Sequence, residues 1–473
     1  FEPLNLGLVI IGVTVGLFIG AMPGLGSVNG VAILLPLTFL VPPTSAIIFL
    51  AAIYYGAMYG GAISSIMLGA STAVATTFDG RPLALKGLAD KALIAAAMAS
   101  FFGGTISIIL FTGFAPALAS VALDFGDQEI FALMLLAFAT FVGLGGDDIA
   151  KTIFSICIRL VFSAVGMDII SGTPRLVFFD ITGFLHGINF LVLAIGVYGI
   201  GEMLWTIDST RGNPTMSKVE VSMSRTLSHM KEVALDWKPA WIGSLLGFFV
   251  GILPAAGATP GSLMAYGISK MTSKNPDGYG KGEIGGVIAP EAANNAASTG
   301  AMLPMLTLGI PGSPTTAILL GGMVIWGLVP GPLMFMEQSD FVWGLTASLP
   351  VFLWVLKMPF TILAPIIFVL CLVGGYAPTE DMHDVWLMVI FGFGAYMLRK
   401  LDYPLAPAVL AIVLGPIAEP ALRQSMIISG GDPSVFFTRP IAGPITIIAV
   451  ILLLLPLVQV IRKKRKQAAN AQG

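Results

Sequence analysis

The chain has 473 residues, of which 56% are hydrophobic and 11% are charged, and its formal net charge is −2. Soluble domains carry about 25% charged residues, so this composition excludes an ordinary soluble globular protein. The near-neutral charge also gives no indication of a nucleic acid or another polyanionic partner. Together with a mean hydropathy of +0.91, the composition indicates an integral membrane protein.

Apolar runs recur along the whole chain at the length needed to cross about 30 Å of hydrocarbon. They predict an all-α polytopic membrane protein with about 10–12 transmembrane helices, some of them re-entrant or broken. The sequence begins at Phe1 with no basic segment ahead of the first run, so we expect no signal peptide in it. The clearest predicted spans are residues 4–20, 92–121, 130–144, 149–166, 184–205, 240–253, 341–356, 360–374, 384–398 and 441–461.

Two phrases rich in glycine and proline occur once in each half of the chain. The first reads GAMPGLGSVNG at residues 20–30 and GILPAAGATPG at residues 251–261. The second reads YYGAMYGGAISSIMLGASTAVATT at residues 54–77 and NNAASTGAMLPMLTLGIPGSPTTA at residues 294–317. The shared glycines, prolines and leucines keep their order and spacing, so the sequence predicts an internal duplication.

A polar stretch from Ile207 to Lys238 separates the two halves. It predicts a first membrane repeat at residues 1–206, a cytoplasmic linker at 207–238, a second repeat plus an extra C-terminal helix at 239–461, and a basic cytoplasmic tail at 462–473. Apolar residues in the later part of the linker fall at helical intervals, which fits either an interfacial helix or a solvated loop.

Basic residues follow different phrases in the two halves. They follow the second phrase in the first half, at positions 81, 86 and 91, and the first phrase in the second half, at positions 270, 274 and 281. Because cytoplasmic loops are enriched in Lys and Arg, the swap predicts an inverted repeat. The RKKRK run after Ile461 then places the C-terminus in the cytoplasm, with one unpaired span in the second half, and the N-terminus in the periplasm.

The segments PGLG, LPAAGATPG and GIPGSP combine proline with glycine inside apolar surroundings. In hydrocarbon, irregular backbone persists only where it is buried in protein or lines a wet cavity. We interpret these segments as unwound helix joints or hairpin tips, and we expect residues 292–316 to be the least helical stretch. Isolated glycines such as Gly103 and Gly104 are more simply explained by close helix packing.

Few residues offer other chemistry. Glu291 precedes the Asn294 and Asn295 pair, where it either caps a helix start or takes part in ion coupling. Cys157 and Cys371 lie in apolar runs and are expected to act as small packing residues. No Ser/His pair or paired carboxylates stand at catalytic spacing, so we predict that the chain is not an enzyme.

In these phrases the sequence resembles the TctA family, the large membrane subunits of bacterial tripartite tricarboxylate transporters. The resemblance runs from the first span to about residue 335 and is carried by MPGLG (22–26), YYGAMYGGAI (54–63), TTFDGRPLALKG (76–87), PEAANNAASTGAMLPMLTLGIPGSPTTAILLGG (290–322) and PGP (330–332). LGAS at residues 68–71 departs from the LNTPG-like sequence expected there.

The resemblance implies a carrier of the bacterial inner membrane that works with a small four-span membrane subunit (TctB-like) and a periplasmic solute-binding protein (TctC-like). It also implies coupling to a gradient of Na⁺ or H⁺ without ATP or another cofactor. The substrates implied are citrate, other di- and tricarboxylates, and aromatic acids.

An unwound joint exposes the positive N-terminal end of one half-helix and the carbonyl groups of another, which suit an anion and a small cation. We predict that carboxylate oxygens are held by Ser27, Ser71, Thr72, Asn294, Asn295, Gly312, Ser313 and Thr315. We predict that Na⁺, the expected coupling ion, is held by Gly24, Gly26, Asn29, Gly257, Thr259 and Thr299. A passive organic-anion channel built from the same joints is the alternative.

Overall fold

The computed structural model carries side chains and is almost entirely helical. It describes residues 2–22, 26–69, 71–144, 149–168, 172–177, 181–188, 192–193, 195–201, 204–205, 208, 223–254, 256–331, 333–352, 382–401, 403 and 406–454.

Proline and glycine mark the ends of helices in the first part of the chain. The helices are α1 (Pro3–Ala21), α2 (Ser27–Leu34, extended by a 3-10 turn over Leu35–Leu40), α3 (Pro43–Leu68), α4 (Val74–Leu85) and α5 (Ala89–Ala122). Pro3 and Pro43 begin their helices, where a missing N–H leaves no bond unmade. Gly69 ends α3 with a φ of 73°, a left-handed conformation that favours glycine.

The remaining elements follow in chain order. They are α6 (Asp127–Leu144), α7 (Ile149–Ser163), an antiparallel pair β1 (Gly166–Met167) and β2 (Pro174–Arg175), a 3-10 turn (Thr182–His186), a π-helix (Ile195–Gly201), α8 (Met223–Leu235), α9 (Trp237–Ile252), α10 (Ala258–Thr272), a 3-10 turn (Pro276–Gly278), α11 (Gly285–Leu308), α12 (Pro314–Ile325), α13 (Met334–Glu337), α14 (Ser339–Phe352), α15 (Met382–Lys400), α16 (Ala406–Ile428), α17 (Val435–Thr438) and α18 (Ala442–Leu454).

Within the described residues, three helices are long and apolar enough to span a membrane: Pro3–Ala21, Pro43–Met67 and Ala89–Val121. The predicted class, an all-α polytopic membrane protein, is confirmed. The second of these helices was not among the clearest predicted spans, because glycines and serines interrupt its apolar run. The predicted span at residues 360–374 lies outside the described part of the chain.

Two helix pairs, one from each half of the chain, pack in the same way. A Cβ placed on Gly16 of α1 would lie 2.2 Å from the Ile53 carbonyl oxygen of α3, and one on Gly247 of α9 would lie 2.2 Å from that of Ala293 of α11. Neither position has room for a larger residue, so each pair packs backbone against backbone, as small residues allow in membranes.

The reciprocal contacts repeat as well. A Cβ on Gly60 of α3 would lie 2.2 Å from the Leu17 carbonyl oxygen, and one on Gly300 of α11 would lie 2.3 Å from that of Phe248. The α1/α3 and α9/α11 pairs therefore share one packing register, which supports the predicted duplication. The inverted orientation and the boundaries of the repeats stay predictions.

Three of the helix breaks in the described residues occur at the Pro/Gly segments that predicted them, and a fourth, between α3 and α4, contains Gly69 but no proline. The chain leaves helical geometry between α1 and α2, between α3 and α4, between α9 and α10, and between α11 and α12. Residues 23–25 of the first break, residue 70 of the second and residue 255 of the third lie outside the described residues.

The prediction that residues 292–316 are the least helical stretch is wrong for most of its length. α11 runs through the Asn294 and Asn295 pair without interruption and contains Pro290 and Pro304. Alanine, the strongest helix former, is frequent in this segment, and burial on all sides holds the helix together. Only Gly309 to Ser313 is unwound, and Gly309 caps α11 with a φ of 70°.

The later part of the predicted polar linker is helical. α8 covers Met223–Leu235, so this segment is a helix and not an irregular loop. Its position at the membrane interface stays a prediction, and residues 209–222 of the linker lie outside the described residues.

The chain divides into two compact units. One contains residues 1–122 and 194–396, and the other contains residues 123–193 and 397–473. All the residues predicted to bind substrate or Na⁺ belong to the first unit. In the second unit, α16 packs against α6 and α7, and Arg423 donates hydrogen bonds to both carboxylate oxygens of Asp168 at 2.9 and 3.0 Å.

Candidate functional site

Two helix breaks from opposite halves of the chain meet through a pair of hydroxyl groups. The Oγ of Ser27, the first residue of α2, lies 2.9 Å from the Oγ1 of Thr315 near the start of α12. Ser313 caps α12, and the Ser313 and Thr316 side chains each bond the other's backbone N–H in a capping box. The N-terminal ends of α2 and α12 are therefore neighbours.

A third helix begins at the same place. Gly257, the residue before α10, donates its backbone N–H to the Gly312 carbonyl oxygen at 3.0 Å. Gly257 has a φ of 67°, and a Cβ on Gly312 would lie 2.6 Å from the Gly251 carbonyl oxygen. Both positions need glycine, the first for its backbone conformation and the second for the close approach of two chain segments.

Further buried hydroxyl groups, on α3, α5 and α11, lie close to the contact between the ends of α2, α10 and α12. The Tyr54 hydroxyl lies 3.2 Å from the Ser313 Oγ. The adjacent Tyr55 hydroxyl bonds the Thr299 Oγ1, which also accepts a hydrogen bond from Ser107 at 2.8 Å. Tyr54 and Tyr55 are each 2% exposed, so this is a polar region in the interior of an otherwise apolar unit.

One face of α11 carries the rest of the polar residues in this region. Glu291, Asn294, Asn295, Ser298 and Thr299 follow the three- and four-residue spacing of a helical stripe. All five are buried, with exposed fractions between 0% and 8%. Because buried polar groups are costly unless they are paired, the stripe is expected to serve a ligand or a specific contact.

The two asparagines make different contacts. Asn295 donates its Nδ2 to the Ser100 Oγ at 2.8 Å and to the Glu291 carbonyl oxygen at 3.2 Å. Asn294 has a single long bond of 3.4 Å to the Met58 carbonyl oxygen. Its amide is therefore the less constrained of the two and the better placed to bind another molecule.

Glu291 lies inside α11 and does not cap it, because the helix begins at Gly285. Its carboxylate accepts hydrogen bonds from the hydroxyls of Thr76 and Ser100, the second at 3.4 Å. Of the two roles predicted for Glu291, the cap is excluded.

Four of the eight predicted substrate residues come together at the break. They are Ser27, Gly312, Ser313 and Thr315. Asn294 and Asn295 lie on the α11 stripe. Thr72 is exposed at the break before α4 and accepts a bond from Ser64 at 3.3 Å. Ser71 begins the 3-10 turn of that break, and its side chain is outside the described set.

The six predicted Na⁺ ligands do not all meet. Gly26 and Gly257 precede helices that start at the break, and Asn29 is buried in α2. Thr299 is bonded to Tyr55 and Ser107, and Thr259 is exposed on the first turn of α10. Gly24 lies outside the described residues.

Asp79 is a structural anchor that sequence reasoning missed. Its buried carboxylate accepts the Tyr266 hydroxyl at 2.9 Å and the backbone N–H groups of Gly280, Gly282 and Glu283 at 3.0, 2.7 and 2.8 Å. It therefore ties α4, from the first half, to the loop before α11, from the second half. The sequence feature that could have identified Asp79 is that it is the one carboxylate of the TTFDGRP motif, ahead of a basic loop.

The chain is similar to a known protein family and to two proteins of Agrobacterium vitis. The model of the tripartite tricarboxylate transporter TctA family matches residues 6–410, beyond the residue 335 at which the sequence resemblance ended. An uncharacterised 52.8 kDa protein of Agrobacterium vitis, from the TAR-I ttuC' 3' region, is 35% identical over 98% of this chain and 95% of its own length.

A second uncharacterised protein of Agrobacterium vitis, from the TAR-II ttuC' 3' region, is 38% identical over 47% of this chain and 98% of its own length. No solved structure matches the chain. The match to the family model covers most of the chain, so the protein belongs to the tripartite tricarboxylate transporter TctA family, a family of membrane transporters and not of enzymes.

Proposed function

We propose that the chain is the large membrane subunit of a binding-protein-dependent secondary transporter that imports di- or tricarboxylates such as citrate, driven by Na⁺ or H⁺. The proposal is carried by the convergence of the N-terminal ends of α2, α10 and α12 at the Ser27–Thr315 and Gly257–Gly312 contacts. Each helix N-terminus carries about half a positive charge, and three together suit a multiply charged anion.

The side chains at this point fit a cargo that must be bound and then released. Ser27, Ser313 and Thr315 offer hydroxyl groups, and Asn294 offers an amide with one long bond. Neutral donors hold a carboxylate less tightly than an arginine pair does. We propose that these residues, with Asn295, Gly312, Ser71 and Thr72, bind the substrate.

The cation is proposed to bind near the same breaks, where unwound carbonyl groups supply oxygen ligands. Gly26 and Gly257 adjoin the converging helix ends, and they support the Na⁺ assignment more directly than do Thr259 and Thr299. Gly24 and Asn29 complete the proposed set. A bound cation would offset part of the charge of the cargo, so the two would cross together.

Membership of the family implies a tripartite transporter with two further components. We propose that they are a small four-span membrane subunit and a periplasmic solute-binding protein that delivers the carboxylate. The chain would then lie in the bacterial inner membrane, with its N-terminus in the periplasm and its C-terminus in the cytoplasm, as the distribution of Lys and Arg predicts.

Uptake into proteoliposomes tests the proposal. The vesicles would contain this chain with its small membrane subunit, with the binding protein outside and radiolabelled citrate as the probe. We expect uphill accumulation that needs the binding protein and stops when both the Na⁺ and the H⁺ gradients are collapsed. Equilibration without accumulation, independent of the binding protein, would instead indicate a passive anion channel.

A further inference from the structure

Glu291 is buried beside the candidate site, and of its two predicted roles only ion coupling is left, because the residue lies inside α11. Glu291 is 0% exposed, and its hydrogen-bonding partners are the neutral hydroxyls of Thr76 on α4 and Ser100 on α5. Among the residues that the structure describes, no ion pair includes Glu291. A carboxylate buried without a positive partner is costly, so this group requires either a proton or a bound cation.

The contacts around Glu291 favour a proton. The Thr76 hydroxyl touches one carboxylate oxygen directly, which leaves no space for an ion between the two. The Ser100 hydroxyl, 3.4 Å from the other oxygen, already accepts the Asn295 amide. An amide nitrogen is a donor and does not ligate a cation, whereas a hydroxyl can accept the hydrogen bond of a protonated carboxyl.

We infer that Glu291 is the site that binds the coupling proton in this transporter, with Thr76, Ser100 and Asn295 as the residues that position it. The inference rests on the proposed function, in which cargo moves with a cation. Of the two cations named there it selects H⁺, and it replaces the Na⁺ set at the Gly/Pro breaks with Glu291 as the site of the coupling ion.

Protonation at this position changes the bonding of two helices. The ionised carboxylate accepts bonds from both Thr76 and Ser100, whereas the protonated carboxyl donates to one hydroxyl, which must then turn its own hydrogen elsewhere. Thr76 lies on α4, directly after the break between α3 and α4. Protonation of Glu291 therefore changes the hydrogen bonding of α4, a helix that begins directly after a break.

The carboxyl is also connected with the break where the substrate is proposed to bind. Asn295, which bonds Ser100, and Ser298 continue the polar stripe of α11 from Glu291. At 1.5 Å per residue, Ser298 is about 10 Å along the helix axis from Glu291. Ser298 lies near Tyr54, whose hydroxyl is 3.2 Å from the Ser313 Oγ.

Other titratable groups near Glu291 are few. On α3, Tyr59 lies close enough to interact electrostatically with Glu291, while Tyr54 and Tyr55 bond Ser313 and Thr299. On α4, Arg81 donates to the Met67 carbonyl oxygen. None of these is a cation paired with the carboxyl.

The charged residues of the other helices packed against α11 are either hydrogen-bonded elsewhere or lie at helix ends. Asp79 on α4 and Tyr266 on α10 bond each other. On α5 the charged residues are Asp90 and Lys91 in the first turn, about 15 Å along the helix from Ser100. The single charged residues of α9 and α10 are Lys238 in the first turn and Lys270 in the last turn.

An infrared pH titration tests proton binding without any cargo. The purified chain in lipid vesicles would be titrated across about pH 5 to 9, the range in which a perturbed carboxyl titrates. We expect the C=O stretching band of a protonated carboxylic acid to disappear as the pH rises, to be missing in Glu291→Gln, and to persist in Glu337→Gln. Glu337 is exposed on α13 and serves as the matched control.

Two results of the titration would overturn the inference. The first is an identical titration of the native chain and Glu291→Gln. The second is loss of the band on addition of Na⁺ at constant pH, which would show that a metal cation displaces the proton.

A transport measurement tests whether proton binding at Glu291 is coupled to citrate movement. With the membrane potential clamped and Na⁺ absent, a gradient of about one pH unit supports about tenfold accumulation of citrate per coupled proton. Glu291→Gln is expected to reduce this ratio to about onefold while keeping citrate exchange between the two sides, since the amide mimics the neutral carboxyl. Full accumulation by Glu291→Gln would overturn the inference.

The two measurements separate the inference from the proposed function. Failure of the native chain to transport citrate under any gradient would contradict the proposed function, while the infrared titration would still decide whether Glu291 binds a proton. Accumulation that follows a Na⁺ gradient alone would leave the transporter assignment intact and refute the proton site.

Discussion

The hydroxyl oxygens of Ser27 and Thr315 lie 2.9 Å apart although 288 positions separate the two residues in the sequence. Each is within the first two residues of a helix, one in each half of the chain. This contact brings together two positive helix ends that local sequence places only near separate breaks.

Replacing Ser27 or Thr315 with Ala is expected to weaken citrate uptake. A neutral hydrogen bond contributes about 0.5–1.5 kcal/mol, so each single variant should raise the half-saturating citrate concentration by about two- to tenfold. Ser27→Ala, Thr315→Ala and the double variant would be compared, with Thr315→Ser as the conservative control. Fully additive effects in the double variant would indicate that the two hydroxyls act independently.

Gly16→Ala is expected to destabilise the α1/α3 pair. The new Cβ would lie 2.2 Å from the Ile53 carbonyl oxygen, and separating closely packed helices costs about 1–3 kcal/mol. Thermal unfolding in detergent measures the effect. Gly7→Ala on the same helix, where a Cβ would meet nothing within 4 Å, is the matched control and should unfold at or above the native temperature. Equal behaviour of the two variants would argue against the observed packing.

Asp79→Asn is expected to loosen the loop before α11. The native carboxylate accepts four hydrogen bonds from Tyr266 and three backbone N–H groups, whereas an amide has one oxygen acceptor. Bonds to a charged group contribute about 1.5–3 kcal/mol. Faster hydrogen exchange at residues 279–284 would reveal the loss, and Asp277→Asn, at an exposed position of the same loop, should exchange as the native chain does.

Asn294→Ala and Asn295→Ala are expected to differ in their effect on stability, although both residues belong to the proposed binding set. Asn295 bonds Ser100 at 2.8 Å, so its loss should lower the free energy of unfolding by about 1–3 kcal/mol. Asn294 makes one bond of 3.4 Å, so its loss should change stability little but reduce citrate uptake. Thermal unfolding and proteoliposome uptake of both variants measure this difference. Native uptake by Asn294→Ala would remove this residue from the proposed binding set.

Several features of the protein could be predicted from local sequence alone. Pro–Gly clusters placed three of the described breaks correctly, since proline and glycine disrupt a helix through their own backbone. Repeated glycine spacing indicated a duplication, and one aligned pair of these glycines, Gly60 and Gly300, forms matched contacts in the α1/α3 and α9/α11 pairs. The family motifs identified the family because they span much of the chain.

Sequence reasoning failed where neighbours decide the outcome. The Asn294 and Asn295 segment was expected to be unwound, yet α3, α5 and α9 surround it and keep it helical. Local sequence also allows Glu291 to cap a helix start. The helix in fact begins earlier, at Gly285.

The sequence by itself determined that this is a helical membrane protein of a transporter family, where its helices break, and which side chains accompany the breaks. Only the tertiary structure decided that Ser27 meets Thr315, that Asp79 ties α4 to the loop before α11, and that Glu291 faces Thr76 and Ser100. A break depends on the backbone preferences of a few adjacent residues. A contact between residues 200 or more positions apart depends on how whole helices pack. No single segment of the sequence determines that packing.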